Sequence, residues 1–253
     1  MIELQNHPIT DSKYLASCRS RLDTDGALIL RGFFSSEVIE SVLAESTNRD
    51  HEAFFASTTH NVWLTEPNET LPIEHIFNRQ IVSTKGLLAD DQLEENSALR
   101  IVYDDPDFRA FIALVVNVEG VYPYADALSS INVHFHRDGE ELGWHFDNSS
   151  FAVTTLIQAP KDGGVFEYVT DLRDAGADDQ NFGGVEEAIV NGAGVETLEF
   201  GPGDLVLFRG RNSMHRVTPS KGDRTRILVV FAFNTEPGIG LSDSAKQTFY
   251  GRL

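Results

Sequence analysis

The chain has 253 residues, of which 41% are apolar and 10% aromatic. That is enough to bury a sizeable core with no disulfide or structural metal. The 39 acidic and 20 basic residues leave a net charge of −19 with histidine neutral. This excess argues against nucleic acid or an anionic membrane as partner, because both demand a positive face.

The opening residues, MIELQNHPIT, have neither the basic region nor the apolar stretch of a secretion signal. No apolar run approaches a membrane span, so a cytoplasmic location without a membrane segment is expected. Cys18 is the one cysteine and cannot form an intrachain disulfide. It is expected as a passive thiol in a helix near the N-terminus. Residues 27–34 (ALILRGFF), opened by Asp25-Gly26, read as a short strand. Ser35 or Ser36 can then cap a helix with apolar positions Val38, Ile39, Val42 and Leu43, and Glu37 in its first turn suits the helix dipole. A second helix is expected from Asp105-Pro106, burying Phe108, Phe111, Ile112 and Val115.

From about residue 130 the texture becomes β-rich. Strands are expected at 131–136, 151–158, 164–169, 197–200, 204–208 and 226–233, separated by glycine-containing turns. Several short strands with no long helix between them suggest an antiparallel barrel or jelly roll. Residues 171–194 are acidic and glycine-rich, and read as a surface insertion carrying a short helix near 185–190. The fold class expected is mainly β (α+β). Residues 1–120 form a mixed helical support and residues 121–253 a β-helix core, in one domain.

The informative stretch is Gly143-Trp144-His145-Phe146-Asp147-Asn148. On a strand, residues i and i+2 point to the same side, so His145 and Asp147 would project together. His215 lies 68 residues beyond Asp147, after a strand opened by Gly201-Pro-Gly-Asp. Two histidines and one carboxylate on one face make the ligand set of non-haem Fe(II) oxygenases, which leaves coordination positions open. A lone His-x-Asp is weak evidence, since His145 could be a core histidine and Asp147 a turn residue; the combination carries the reading. Arg226 follows His215 by eleven residues, inside the apolar run RILVVFAF. Facing inward, it would be costly to bury unless it met an anion, whose carboxylate its planar fork could take. Facing outward, it would be an ordinary strand-end charge.

HFD, then His215, then Arg226 resembles the Fe(II)/2-oxoglutarate-dependent oxygenase superfamily. The resemblance spans roughly residues 120–235. The blocks GWHFDNSSF and LFRGRNSMHRVTP resemble, more narrowly, the hydroxylase relatives of the bacterial radical amino-acid halogenases. The resemblance implies a double-stranded β-helix core. It implies Fe(II) held by His145, Asp147 and His215, with 2-oxoglutarate on Arg226 and O₂ as oxidant. It implies decarboxylation of 2-oxoglutarate to succinate, coupled to hydroxylation of a small molecule, a free amino acid or derivative. In those halogenases the carboxylate position is glycine or alanine and halide binds there; Asp147 fills it, so hydroxylation, or another oxidation such as desaturation, is expected.

With Arg226 inward, Leu228, Val230, Ala232 and Asn234 share its face. Three of the four are apolar, unlike the polar strand of the lysine-specific relatives. Asn132 is a candidate contact for 2-oxoglutarate. His134 and His136 are more readily hydrogen-bonded strand histidines than extra ligands. Arg79 and Asn148 are candidate substrate contacts. Trp144 and Phe146 should pack in the core, and His60 and Trp63 could line a lid. Arg209 or Arg211 could support the cosubstrate or lie on the surface, and Gly32 and Gly210 read as turn residues. A cupin-like dioxygenase or isomerase using no oxo acid is the alternative, and Arg226 discriminates against it. A homodimer is among the assemblies open to the chain.

Overall fold

The computed structural model describes all 253 residues. The N-terminal half supplies four helices and three strands. Helix α1 (Ser12–Asp25) starts where Asp11 caps the Lys13 and Tyr14 amides, and ends where Gly26 takes a left-handed φ of 69°. Strand β1 (Ala27–Leu30) follows directly. Helix α2 (Ser36–Arg49) buries Val38 and Val42, the spacing its sequence announces. Strands β2 (Phe54–His60) and β3 (Ile81–Leu88) pair antiparallel across a long connection. Helices α3 (Ala98–Asp104) and α4 (Pro106–Val116) follow. Asp105 caps α4 through the Asp107 and Phe108 amides, with proline in the first turn where its missing N–H costs nothing.

The C-terminal half holds strands β4 (Ile131–His136), β5 (Leu142–His145), β6 (Ala152–Gln158), β7 (Asp162–Gly163) and β8 (Phe166–Val169). After helix α5 (Phe182–Asn191) come β9 (Glu196–Leu198), β10 (Leu205–Phe208), β11 (Met214–Val217), β12 (Ser220–Lys221) and β13 (Arg226–Phe231), then helix α6 (Asp243–Tyr250). A seven-stranded antiparallel sheet runs β1-β10-β6-β13-β4-β3-β2, and a four-stranded sheet runs β5-β11-β8-β9. Successive strands β4, β5 and β6 alternate between the two sheets, so the chain winds a jelly-roll-like, β-rich α+β fold.

Two apolar layers flank the strands. Helices α1–α4 cover the outer face of the large sheet, over a 33-residue core that includes Phe33, Phe108, Phe111 and Phe231. Alternation assigns the faces: Ile227, Val229 and Phe231 of β13 enter this core, whereas Arg226 and Leu228 point to the other side. Likewise Val133 and Phe135 of β4 enter it, and His134 and His136 do not. A second cluster, containing Trp63, Trp144, Phe146, Val169 and Met214, backs the small sheet. The metal-binding candidates lie between the two layers.

Six of the ten C-terminal strands (β4, β6, β8, β9, β10 and β13), helices α2, α4 and α5, and a helix around the buried thiol Cys18 match the sequence expectations to within a few residues at their ends. The β2–β3 pair, the short β7–β12 pair and helices α3 and α6 are not foreseen from the sequence, and the strand expected at 27–34 stops at Leu30. No helix is long and apolar enough to cross a membrane.

Candidate metal centre and active-site cleft

Register builds the metal site. His145 at the end of β5 lies directly opposite His215 on β11, with ring centroids 4.2 Å apart. Asp147 follows two residues after His145, and its amide is held by the Gly210 carbonyl at 3.0 Å. Asp147 Oδ1 lies 3.7 Å from His145 Nε2 and 3.6 Å from His215 Nε2. One ligand atom from each of the three side chains falls within 4.8 Å of the others, a set that could hold a metal ion.

The backbone selects the ligand tautomer. His145 Nδ1 faces the Gly143 carbonyl at 2.8 Å, and His215 Nδ1 faces the Ser213 carbonyl at 3.0 Å. A carbonyl only accepts, so each Nδ1 carries a proton and each Nε2, the ring atom turned toward Asp147, is the one available to a metal. Burial, with His215 alongside, pushes His145 down to about 4 and so keeps its imidazole neutral near pH 7. Burial would raise the Asp147 carboxyl, but the two imidazoles, His215 foremost, hold it well below the usual carboxylate range. Three ligand atoms thus converge, and one cation among them would be shared by all three. Asp147 Oδ2 is also buried without a hydrogen-bond partner. Two imidazoles and one carboxylate, with room for further ligands, fit a ferrous ion.

Gly210 has a larger role than a turn. A Cβ built there would stand 1.9 Å from Asp147 Oδ2 and 2.9 Å from His215 Cε1. The glycine therefore lets the β10–β11 loop close against the ligand set.

Arg226 faces inward and is 2% exposed. Its Nε donates to the Gly164 carbonyl at 3.2 Å, while Nη1 is buried without a partner. Burial lowers its guanidinium to about 10, with no carboxylate within 4 Å to support the charge. Arg226 pairs across the sheet with His136, and β4 pairs with β3 through Gly86–Phe135 and Leu87–His134. Carried one residue further, that register sets Lys85 beside His136. Lys85, His136 and Arg226 thus form a row across three neighbouring strands.

The row is unsatisfied. His136 is fully buried, and neither of its ring nitrogens has a partner. This corrects the expectation of a hydrogen-bonded strand histidine; a residue facing a ligand site need not find a partner in the protein. Lys85 makes no side-chain hydrogen bond or ion pair, and burial lowers it to about 8 against the opposing pull of Asp147. Burial drives His134 and His136 well below the ordinary histidine range, with Lys85 and Arg226 adding to the effect. Neither histidine joins the metal cluster. Lys85 escaped the sequence reading because the β2–β3 pair did; its signal was a lysine in the otherwise neutral run IVSTKGLL.

A cleft of about 380 Å³ opens beside Asp147. Trp63 and Phe77 form its apolar wall, and Asn148, Arg173, Asp178 and Arg211 its polar one. Residues 171–181 therefore contribute to the cleft rather than forming only a surface insertion. Asn148 lies where a substrate contact is expected, next to Asp147. Arg79 is exposed and does not line this cleft. Asn132 is buried with its amide engaged by the fold: Nδ2 donates to the Ser129 carbonyl at 2.9 Å, and Oδ1 accepts from the Tyr250 hydroxyl at 2.7 Å. Those bonds direct it toward α6 rather than toward a ligand. Trp144 and Phe146 pack in the second core cluster, His60 hydrogen-bonds Ser83 at 2.7 Å, and Arg209 pairs with Asp23 on the outside.

The family model for Halogenase D matches residues 10–248. The chain belongs to that family. Curated protein sequences give no match. Among solved structures, this halogenase D family member is similar to SnoK, a non-haem alpha-ketoglutarate-dependent carbocyclase from nogalamycin biosynthesis, at 11% identity and TM-score 0.60, covering 96% of this chain and 94% of SnoK. It is similar to AviO1 from Streptomyces viridochromogenes Tue57 at 16% identity and TM-score 0.58, over 90% of this chain and 97% of AviO1. A Pseudomonas putida prolyl-4-hydroxylase aligns at 16% identity and TM-score 0.51, over 86% of this chain and 97% of the hydroxylase. At these identities the likeness establishes the fold, that of the Fe(II)/2-oxoglutarate oxygenases.

Proposed function

We propose that the chain is an Fe(II)- and 2-oxoglutarate-dependent hydroxylase of a small molecule, a free amino acid or close derivative. The observation that carries this reading is Arg226: a buried guanidinium with an unpartnered Nη1, in the same inter-sheet space as a His-Asp-His ligand set. A metal-only reaction has no need of that cation. His145 Nε2, His215 Nε2 and Asp147 Oδ1 would hold the ion. When bound, Fe(II) with 2-oxoglutarate and O₂ supplies the oxidising chemistry, coupling decarboxylation of the oxo acid to hydroxylation of a substrate C–H bond.

The protein groups have separable tasks. Arg226, with Lys85 and neutral His136 beside it, would hold the distal carboxylate of 2-oxoglutarate. The carbonyls of Gly143 and Ser213 keep both imidazoles in the ligand tautomer. The half-buried Asp147 keeps its carboxylate ionised and occupies the position that a halide needs in the halogenases, which supports hydroxylation within a family named for halogenation. Asn148 would contact the substrate from the rim; Arg79 would do so only if its exposed segment closed over the cleft.

Anaerobic absorption tests the reading. Fe(II) and then 2-oxoglutarate are added to the metal-free protein, and a visible charge-transfer band that requires both is expected. Arg226→Leu should weaken 2-oxoglutarate by more than about 100-fold, the cost of leaving a charge partner alone, while iron binding stays unchanged. Iron binding with no band on adding 2-oxoglutarate would sink the proposal and favour a cupin-like enzyme.

A further inference from the structure

The rim of the cleft carries charges that neither the metal nor the oxo acid would use. Residues 171–181 are tied to the β10–β11 loop that leads to His215. The Arg173 amide donates to the Asn212 carbonyl at 3.2 Å, Ala175 N to Asn212 Oδ1 at 3.0 Å, and Asp171 N to Ser213 Oγ at 3.2 Å. The segment also closes on itself through reciprocal backbone bonds between Asp174 and Asp179 at 3.0 Å. This turn is therefore anchored to the same loop that positions a metal ligand.

The anchoring fixes Arg173. Its guanidinium carbon lies 4.1 Å from the centroid of Phe146, the residue between His145 and Asp147. Nε donates to the Arg211 carbonyl at 2.8 Å, Nη1 reaches Gln180 Oε1 at 3.4 Å, and Nη2 has no partner. Neither Arg173 nor Arg211 has a carboxylate within 4 Å, although the chain carries 39 acidic residues. Burial and the neighbouring Arg211 both disfavour charge on Arg173, opposed by Asp147. Stacking on Phe146 is worth about 0.5–1 kcal/mol at a partly exposed site. It accounts for the guanidinium of Arg173 over the ring, but not for a second arginine, the exposed Arg211, lining the same cleft beside Asp147.

We propose that Arg173 and Arg211 form the seat for a carboxylate of the substrate, and that residues 171–181 select it. Trp63 and Phe77 line the same cleft, so an apolar side chain would have aromatic surface to pack on. Asp178 on the same rim supplies an acceptor for an ammonium group. Together these features favour a free amino acid, zwitterionic and modest in size, over a peptide-linked residue whose carboxylate is an amide. The proposal rests on the hydroxylase reading only in placing the reacting atom near the triad.

The test uses protein loaded anaerobically with Fe(II) and 2-oxoglutarate. The probes are the twenty proteinogenic L-amino acids and their α-carboxamides, with dissociation constants from calorimetry and from the shift of the visible band. At least one free acid should bind, with its carboxamide at least 30-fold weaker. Arg173→Gln should weaken that acid by at least 30-fold, while the 2-oxoglutarate constant moves less than 2-fold. Arg173→Lys should recover part of the loss, and Arg211→Gln should show a smaller one. The proposal is overturned if no acid binds a protein that does bind 2-oxoglutarate, if acid and amide bind alike, or if Arg173→Gln binds like the parent. Should the parent fail to take up 2-oxoglutarate, the hydroxylase reading falls; the same panel on Zn(II)-loaded protein then decides the carboxylate seat separately.

Discussion

Replacing Gly210 by alanine tests the metal site without touching a ligand. The added Cβ would stand 1.9 Å from Asp147 Oδ2, 2.6 Å from Asp147 Cγ and 2.9 Å from His215 Cε1. Restoring an ordinary contact of about 3.4 Å requires the carboxylate to move by about 1.5 Å. Metal–oxygen bonds at such sites are about 2.0–2.2 Å long and tolerate only a few tenths of an ångström. A carboxylate displaced that far no longer binds the same ion as the two imidazoles. The clashes are with the side chains of two of the ligands, Asp147 and His215, and not with backbone, so the cost should fall on the site and spare the fold. Gly210→Ala is expected to lower Fe(II) affinity by at least about 100-fold, or ~3 kcal/mol, with a melting temperature within a few degrees of the parent. Calorimetric titration with Fe(II) under argon, alongside circular dichroism melting, measures both quantities. Parental metal affinity in a folded Gly210→Ala protein would refute the placement of Gly210 against the ligands.

Lys85 should behave as an active-site cation. Its ammonium, lowered to about 8, is charged below that pH and neutral above it, so 2-oxoglutarate should bind more weakly as pH rises from 7 to 9. Lys85→Met should bind it several-fold more weakly at pH 7 and show a flatter profile, read from the charge-transfer band. The same substitution should stabilise the ligand-free protein. Because the folded-state pKa lies below the unfolded one, burial opposes folding fully below about pH 8, and the penalty fades as pH rises through about 10. After allowance for partial exposure, Lys85→Met should gain about 1–2 kcal/mol at pH 7 in urea unfolding and little at pH 10. Phe108 is fully buried, with ring centroids 6.1 Å from Phe33 and 5.7 Å from Phe231. Phe108→Ala should cost about 3–5 kcal/mol in urea unfolding while leaving Fe(II) affinity unchanged in the folded fraction.

The ligand triad was legible because its parts obey short-range rules. His-x-Asp needs only the two-residue period of extended backbone, whereas both faces of RILVVFAF are apolar, so the sequence left the direction of Arg226 open and the structure turns it inward. The β2–β3 pair was harder to see for a physical reason. One face of β3 carries Ser83 and Lys85 toward the site rather than toward the core, so the run lacks the apolar alternation that announces a half-buried strand. Helix α1 has clear ends in Asp11 and Gly26, but it buries only Cys18 and Leu22 between them, too thin a stripe to mark a full helix. Arg173 was hidden by its neighbours: an acidic, glycine-rich stretch reads as solvated, and contacts with Arg211, Asn212 and Ser213, distant in sequence, bring it back over Phe146.

The charge pattern of the whole molecule gives the interior cations their meaning. With nearly two acids for every base, an arginine on this protein readily finds a carboxylate: Arg31 meets Asp204, Arg100 meets Asp90, Arg216 meets Glu167 and Arg252 meets Asp91. Such pairs contribute at most about 1 kcal/mol each where exposed. Arg226, Lys85, Arg173 and Arg211 have no such partner, and the first three also lose hydration. Removing a charge from water and leaving it unpaired works against folding, so Arg226, Lys85 and Arg173 are not explained by stability, and the exposed Arg211 joins them only by its place in the cleft. They divide into two groups along the path to the metal. Arg226 and Lys85 flank a buried histidine with two free nitrogens, and Arg173 and Arg211 flank the rim. A dianion with one end at the metal and a monoanion entering from the cleft would satisfy both groups. The acidic exterior does not forbid this, since its field is screened within about 8–10 Å at physiological salt and the local cations decide what stays.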